Sequence, residues 1–275
     1  MTKRDLKPAS DENKQLISKL VEDAVIAYAS SFKQRHIAER NNPDGKINMK
    51  IHNAFIAGLG QETQYYSALV RSLDSSMGNM LEKLAVSVAQ LNFEVYKNVE
   101  GPLSPEQTGI IATLLEEYKR HLKKPQVEDY AALRKKPALG SATTKRHDSD
   151  YYLVDRDTGE NLLIELKIGG DLDNKKARSE KEAILEQYAI LSNTLPDDAV
   201  INVYFGTAYN RFGDDKPWTQ SRVRQFFADE ELLIGRDFWN LVTKSSDGYA
   251  IILDAYKASA HYISEALDEI REVYL

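Results

Sequence analysis

Two short apolar runs constrain this chain more than any other feature: Tyr151-Tyr152-Leu153-Val154 and Leu162-Leu163-Ile164, separated by Asp157-Thr158-Gly159-Glu160. Aromatic and branched residues on both sides of a Gly-containing turn read as a β-hairpin. The second run continues as Glu165-Leu166-Lys167-Ile168, and residues 199–205 form a third run apolar enough for a central strand. Strands this apolar need cover on their faces, which predicts an α/β protein with a mixed sheet of about five strands flanked by helices.

The remaining sequence supplies the helices. Ser10 is a cap for a helix carrying Ile17, Leu20, Val21, Ala24, Tyr28 and Phe32 at spacings of three and four. Residues 41–45, Asn-Asn-Pro-Asp-Gly, end that region as a turn. A second helical tract is predicted over 51–70, and a third after a Ser75-Ser76 cap, with Met77, Leu81, Leu84, Val88 and Leu91 as its stripe. Gly101-Pro102-Leu103-Ser104-Pro105 reads as a break, followed by a helix over 106–122 and a long connection over 123–149. Further helices are predicted over 179–191, 220–227, 236–242 and 254–274, the last with a stripe of Tyr256, Ile263, Leu267, Ile270 and Tyr274. The expected division is a helical N-terminal region over 1–72 and a core over 73–275 with an inserted basic segment, 101–147.

Composition narrows the function classes. The chain has 275 residues, 42% of them hydrophobic and 28% charged, as a soluble globular protein has. No run approaches eighteen apolar residues and the N-terminus lacks the apolar segment of a secretory signal, so cytoplasmic residence is expected. The absence of cysteine excludes disulfides, zinc ribbons and thiol catalysis. The net charge of −6 disfavours a nucleic-acid partner only as a sum. Between residues 119 and 146, Lys119, Arg120, Lys123, Lys124, Arg134, Lys135, Lys136, Lys145 and Arg146 stand against only Glu128 and Asp129. This run leads directly into the hairpin.

The hairpin also carries the chemistry. A two-residue Thr158-Gly159 turn sets Asp150 opposite Lys167 and Tyr152 opposite Glu165. Side chains alternate along strands, so Glu165 and Lys167 share a face with Asp150 and Asp148, while Ile164, Leu166 and Ile168 face a core. Two close carboxylates repel each other, and a divalent cation relieves the repulsion. Mg²⁺ takes oxygen ligands and keeps waters, one of which can attack phosphorus, while a lysine orients that water. Mn²⁺ is an expected substitute. Asp155 and Asp157 are expected to be solvated turn residues.

Asp150 followed by Glu165-Leu166-Lys167 resembles the PD-(D/E)XK nuclease motif, with Ser149 in place of the usual proline. Gly78-x-x-x-Glu82 is similar to the first core helix of that superfamily, and the resemblance implies that Glu82 joins the catalytic and metal-binding groups. Four local features together resemble TdeIII-like type II restriction endonucleases, which act on GGNCC-type sites. They are residues 76–82, His147-Asp148-Ser149-Asp150, Gly169-Gly170 after the Glu-Leu-Lys strand, and Ile234-Gly235-Arg236-Asp237-Phe238-Trp239. The resemblance spans 75–241 and implies Mg²⁺-dependent hydrolysis of double-stranded DNA at a short palindrome by a homodimer, paired with a cognate DNA methyltransferase. A structure-specific repair or resolvase-like nuclease and an inactive DNA-binding protein stay as alternatives.

DNA contacts are expected from Lys135, Lys136, Lys145 and Arg146, and from Lys175, Lys176 and Arg178, with Lys181 beside them on the following helix. A second group, Asn210, Arg211, Arg222 and Arg224, lies in a segment that mixes aromatics with Arg, Asn and Gln, the residue types that read base edges. The five histidines show no metal spacing, and His52-Asn53 lacks the partners of an HNH site. Gln187 is similar in position to the glutamine of RecB-type nucleases, but the later tyrosine of that motif is missing.

Overall fold

The computed structural model describes residues 6–134 and 142–275, with the side chains of Ser149 and Asp150 left outside the description. Two compact units make up the chain: one comprises Val88–Tyr249 with the described residues up to Pro8, the other Ala9–Ser87 and Ala250–Leu275. This differs from the expected division at residue 72, because the C-terminal helix groups with the first helices. The segment 101–147 is no insertion either, since Leu103, Ile111, Leu114, Leu115, Tyr118, Tyr130 and Leu133 all belong to the main core of the first unit. Among the described residues no helix is long and apolar enough to cross a membrane.

The helical unit holds α1 (Asp11–Ala38), a short turn α2 (Ala54–Ala57), most of α3 (Gln61–Ala89) and most of α8 (Gly248–Tyr274). Ser10 caps α1 as expected, its hydroxyl accepting from the Asn13 N–H at 3.2 Å. The buried stripe of α1 is Ile17, Val21, Val25, Tyr28 and Phe32. The expected break at Ser75-Ser76 does not occur. Ser76 donates back to the Ser72 carbonyl at 2.7 Å and meets the Tyr28 hydroxyl at 3.0 Å, so it is satisfied inside one continuous α3. The α8 stripe packs within its own unit: Ile263 and Ile270 are buried, and the Tyr274 hydroxyl donates to the His36 carbonyl.

The other unit is built on a five-stranded sheet in the order β1-β2-β3-β4-β5: Phe93–Leu103, Thr143–Asp155, Asn161–Leu166, Ile201–Thr207 and Leu232–Ile234. The first three strands pair antiparallel and the last three parallel, giving the expected mixed sheet. Every residue of β3 is buried, as a central strand covered on both faces requires. On one face lie α4 (Pro105–Lys119) and α5 (Asn174–Thr194), which share a core with Tyr152, Leu163, Val203 and Phe205. The other face meets α7 (Arg236–Thr243): a Cβ on Gly206 would come within 2.9 Å of Phe238.

Strand β1 was hidden in the sequence by Glu94, Lys97, Glu100 and the Gly101-Pro102 pair. It is an edge strand with an open side, where charges and a missing N–H are tolerated. The predicted long connection likewise contains a 3₁₀ turn at Val127–Ala132 and the first half of β2.

Lys181 does not face a polyanion. It is 1% exposed, with Nζ 2.7 and 2.9 Å from the two carboxylate oxygens of Glu231 and 2.9 Å from the Tyr130 hydroxyl. Tyr130 donates to Glu231, as does the Ala228 N–H at 2.6 Å, and the ammonium lies 4.9 and 4.8 Å from the Tyr130 and Phe227 ring centres. Burial pulls the Lys181 ammonium below its ordinary pKa, opposed by Glu231. The knot ties α5 to the turn before β5 and to the 3₁₀ turn. Removing one partner strands a buried charge, so Lys181→Met or Glu231→Leu should each cost about 3–5 kcal/mol, while the two together should recover part of the loss. Urea unfolding of the three variants checks this, and additive losses in the double variant would refute the coupling.

Candidate active site

The hairpin register differs from expectation by two residues. Tyr151 pairs with Ile164 and Val154 with Asn161, leaving a four-residue loop after Asp155. The cause is the Asp155 carboxylate, which accepts from the Asp157 and Thr158 N–H groups at 2.9 and 3.2 Å, while the Gly159 N–H closes onto the Asp155 carbonyl at 2.8 Å. Gly159 supplies the left-handed conformation this wrap needs, at φ +71°. Asp155 is therefore not a solvated turn residue: it is buried, with Lys244 Nζ at 3.0 Å. Burial alone would raise its pKa, but Lys244 and the two N–H groups outweigh that and hold it below the ordinary range. Asp157 is exposed, as expected, and pairs with the same lysine at 2.5 Å.

A shift of two residues keeps the side chains of the paired residues 151–154 and 161–164 on their expected faces. Glu165 continues the face of Leu163 toward α5, and Ile164 and Leu166 lie on the opposite face, both buried. The ladder ends at Tyr151 and Ile164, so the backbone position one step beyond sets Asp150 against Glu165 instead of Lys167. Asp150 lies in β2, and its side chain falls outside the described residues.

Glu165 is 7% exposed, and Lys167 Nζ lies 2.5 Å from its Oε1 and 3.4 Å from Glu180 Oε1 on α5. Lys167 follows the last residue of β3, and its N–H still donates to the Gly206 carbonyl of β4 at 3.0 Å. The pair thus sits at the carboxyl ends of two parallel strands, where open α/β sheets present their sites. The chain then turns through Gly169 and Gly170. A Cβ on Gly169 would come within 2.7 Å of the Tyr209 hydroxyl, and one on Gly170, at φ +63°, within 2.8 Å of Thr207 and 3.0 Å of the Trp218 ring. Both glycines allow residues 209–218 to lie directly on the turn behind Lys167.

Strand β2 carries a second irregularity. Its pairing with β1 steps from Tyr96–Tyr152 to Asn98–Asp148, so residues 149–151 oppose Lys97 alone. Such a bulge reverses which residues face α5. Beyond it His147 lies 2.8 Å from Glu186 Oε2, at ion-pair distance without hydrogen-bond alignment, and Lys145 Nζ is 2.9 Å from Glu186 Oε1. Asp148 is exposed and alternates with His147, which corrects the expectation that it shares the face of Glu165. Glu82 lies half-buried on α3 in the helical unit. Among the described residues no three His, Asp or Glu side chains gather closely enough to hold a metal, a count that leaves out Asp150.

The expected cationic contacts separate into several groups. Lys135 and Lys136 lie outside the described residues. Much of the rest of the basic run is engaged: Lys119 and Arg120 meet Glu116 at 3.6 and 2.7 Å, Lys123 pairs with Asp129, and Arg134 donates to the Asp197 carbonyl at 2.8 Å and to that of Ala199. Arg146 is exposed, 4.0 Å from Glu100. Lys175 and Lys176 are exposed on the first turn of α5, and Arg178 is half-buried with its Nε unpartnered among the described residues. Asn210 is used inside its own loop, accepting from the Phe212 N–H at 3.0 Å and donating to the Lys216 carbonyl at 2.7 Å. Arg224 donates to the Trp218 carbonyl at 2.7 Å and to Asp229 at 2.6 Å, so neither Asn210 nor Arg224 is free for a base edge as it stands. Arg222 is exposed, and Arg211 is bound to Asp171 at 2.6 Å.

Glu180 and Glu186 were not anticipated. Glu180, Ile184, Gln187 and Leu191 follow the i, i+4, i+7, i+11 spacing of a single helix face, so polar residues within a core-facing stripe were the available signal. Gln187 is 2% exposed, and its Oε1 has no partner among the described residues.

The chain is similar to a family described as "Type II restriction endonuclease, HinfI", whose model matches residues 13–260. No curated protein and no solved structure matches it.

The two turn glycines differ in what they tolerate. Gly170→Ala meets positive φ, a buried threonine methyl and an indole ring, and should cost about 1–3 kcal/mol. Gly169→Ala meets only the end of an exposed tyrosine, which can swing away, and should cost less. Thermal melts of the two variants check the order, and equal losses would show that Trp218 does not press on this turn.

Proposed function

Because the chain belongs to the HinfI type II restriction endonuclease family, we propose that Glu165 and Lys167 at the end of β3, with Asp150 on β2, hydrolyse phosphodiester bonds of double-stranded DNA at a short palindromic site. The observation that carries this reading is the contact of a buried carboxylate with a lysine at the carboxyl end of the central strand, inside the matched residues. The family found is HinfI, where local motifs pointed to TdeIII-like enzymes. GGNCC is accordingly one candidate site among short palindromes.

The donor set is of the kind Mg²⁺ takes. Glu165 offers hard oxygen atoms from a position where a negative charge needs compensation, and the chain has no cysteine to favour a softer ion. Asp150 and Glu165 would hold the cation. When bound, Mg²⁺ supplies a Lewis acid for a phosphoryl oxygen and a water of lowered pKa, and Mn²⁺ is the expected substitute. Lys167 Nζ, set between Glu165 and Glu180, donates toward the attacking water and offsets charge on the non-bridging oxygens as it develops. Glu180 orients Lys167. A palindrome presents each contact twice, which suits a two-fold homodimer. Pairing with a cognate methyltransferase in the cytoplasm follows from the same reading.

Digestion of plasmid in Mg²⁺ tests the function: discrete bands are expected, whereas structure-selective nicking or no cleavage would replace it with a repair nuclease or a DNA-binding protein. Asp150→Ala, Glu165→Ala and Lys167→Ala should each lower cleavage by about 100-fold or more while binding in Ca²⁺ survives. Wild-type cleavage by Lys167→Ala would remove β3 from the site.

Phosphate contacts are assigned to cations that are exposed. Lys175→Ala with Lys176→Ala should reduce the slope of log affinity against log salt by roughly 2, and Lys145→Ala, whose ammonium is held by Glu186, by less. Binding isotherms from 50 to 200 mM salt, a range over which such contacts are lost, check this. An unchanged slope in the double variant would place the DNA path elsewhere.

A further inference from the structure

Residues 209–220 lie between β4 and α6 (Ser221–Arg224), and one carboxylate holds both ends of this loop. Asp171 Oδ1 accepts from Arg211 at 2.6 Å and from the Gln220 side-chain amide at 3.0 Å. Asp171 stands on the turn that carries Lys167 into α5, and the Gly170 N–H of that turn donates to the Lys167 carbonyl at 3.0 Å. Tyr209 and Trp218 of the same loop press on Gly169 and Gly170. Loop and lysine are therefore parts of one packed unit, with an exposed ion pair across its mouth: the side chains of Asp171 and Arg211 are 62% and 36% exposed.

The two donors bound to Asp171 are of a particular type. A guanidinium matches the O6 and N7 acceptors of guanine, and a side-chain amide matches the N6 and N7 of adenine. While Asp171 holds them, these donors are not available to bases. We propose that Asp171 is a specificity-determining residue, which occupies Arg211 and Gln220 in the free protein and yields them only to matching base edges in the duplex. The inference rests on the restriction-endonuclease reading above.

Energetics make the release of the loop selective, not the binding itself. An exposed carboxylate–guanidinium pair contributes little in water, because screening and side-chain ordering offset its attraction. A bidentate contact with the right base discriminates against a wrong one by about ten-fold or more. A matching base thus wins the guanidinium from Asp171, and a mismatched base, offering less, loses to it, so the loop is released in matched complexes and stays tied in mismatched ones. Asp171 is held below the ordinary carboxylate range by Arg211, and so remains an anionic competitor near neutral pH. Release of Arg211 and Gln220 unties the loop from the Lys167 turn, which couples base matching to the catalytic lysine.

The test is selection of bound duplexes from a random-sequence pool in Ca²⁺, followed by cleavage in Mg²⁺ of the selected site and its single-base variants, by wild type, Asp171→Asn and Arg211→Lys. Asp171→Asn keeps the shape and removes the charge of an exposed group. It should lower the cleavage preference for the selected site over single-base variants several-fold, through faster cleavage of the variants, while the preference in binding is kept. Arg211→Lys keeps the charge and loses the fork, and should relax selection at one base-pair position only. The proposal is overturned if Asp171→Asn cleaves single-base variants as sparingly as wild type does. It is also overturned if Asp171→Asn gains affinity for all sequences equally, with a steeper salt dependence, since Arg211 then meets phosphates. A wild type that selects no sequence at all refutes the restriction-endonuclease reading, a result distinct from either.

Discussion

Glu165 is a carboxylate at the buried end of a strand that is otherwise apolar except for Asn161. A charge in that position is stable only with a cation beside it, and Lys167, two residues on, supplies one from the first position outside the strand. The arrangement of the unit follows from keeping this pair at the edge of the core. Covering β3 on both faces requires α5 on one side and α7 on the other, and the parallel pairing with β4 brings the Gly206 carbonyl under the Lys167 amide. The site is thus the place where a fully buried strand reaches water.

Lys181 and Glu231 show the opposite solution with the same residue types. Their charges are closed off entirely, with a phenol, a backbone N–H and two aromatic rings completing the shell. Such a cluster adds little net stability compared with apolar packing, but it penalises any arrangement that separates its three segments. The two pairs on α5, one half-open and one sealed, divide the helix between the candidate site and an anchor: Glu180 reaches Lys167, and the next residue, Lys181, fixes the helix to the turn before β5.

The acidity of the chain is compatible with a polyanionic substrate because local cations, not the sum, set the field that a duplex meets. Much of the basic run before β2 is held in ion pairs and backbone contacts, which on the proposed reading moves weight to the exposed lysines at the start of α5 and to Arg222 after β4. These two groups flank the turn that carries Lys167.

By itself the sequence determined the mixed α/β class, the hairpin, the Ser10 cap and the shared face of Glu165 and Lys167. Each of these is local: strand alternation has a period of two, and a cap or turn depends on a few neighbouring residues. Tertiary structure decided the rest, because it depends on what each segment meets. The wrap of Asp155, stabilised by Lys244 from far along the chain, set the hairpin register two residues from its simplest value. Edge position made a strand of the polar, Pro-containing residues 93–103. Burial against Glu231 removed Lys181 from the phosphate-binding candidates, and the bulge opposite Lys97 took Asp148 off the face of Glu165. The same side chain is a ligand, an anchor or a solvated charge according to the dielectric and the partners around it, and those are properties of the packed chain.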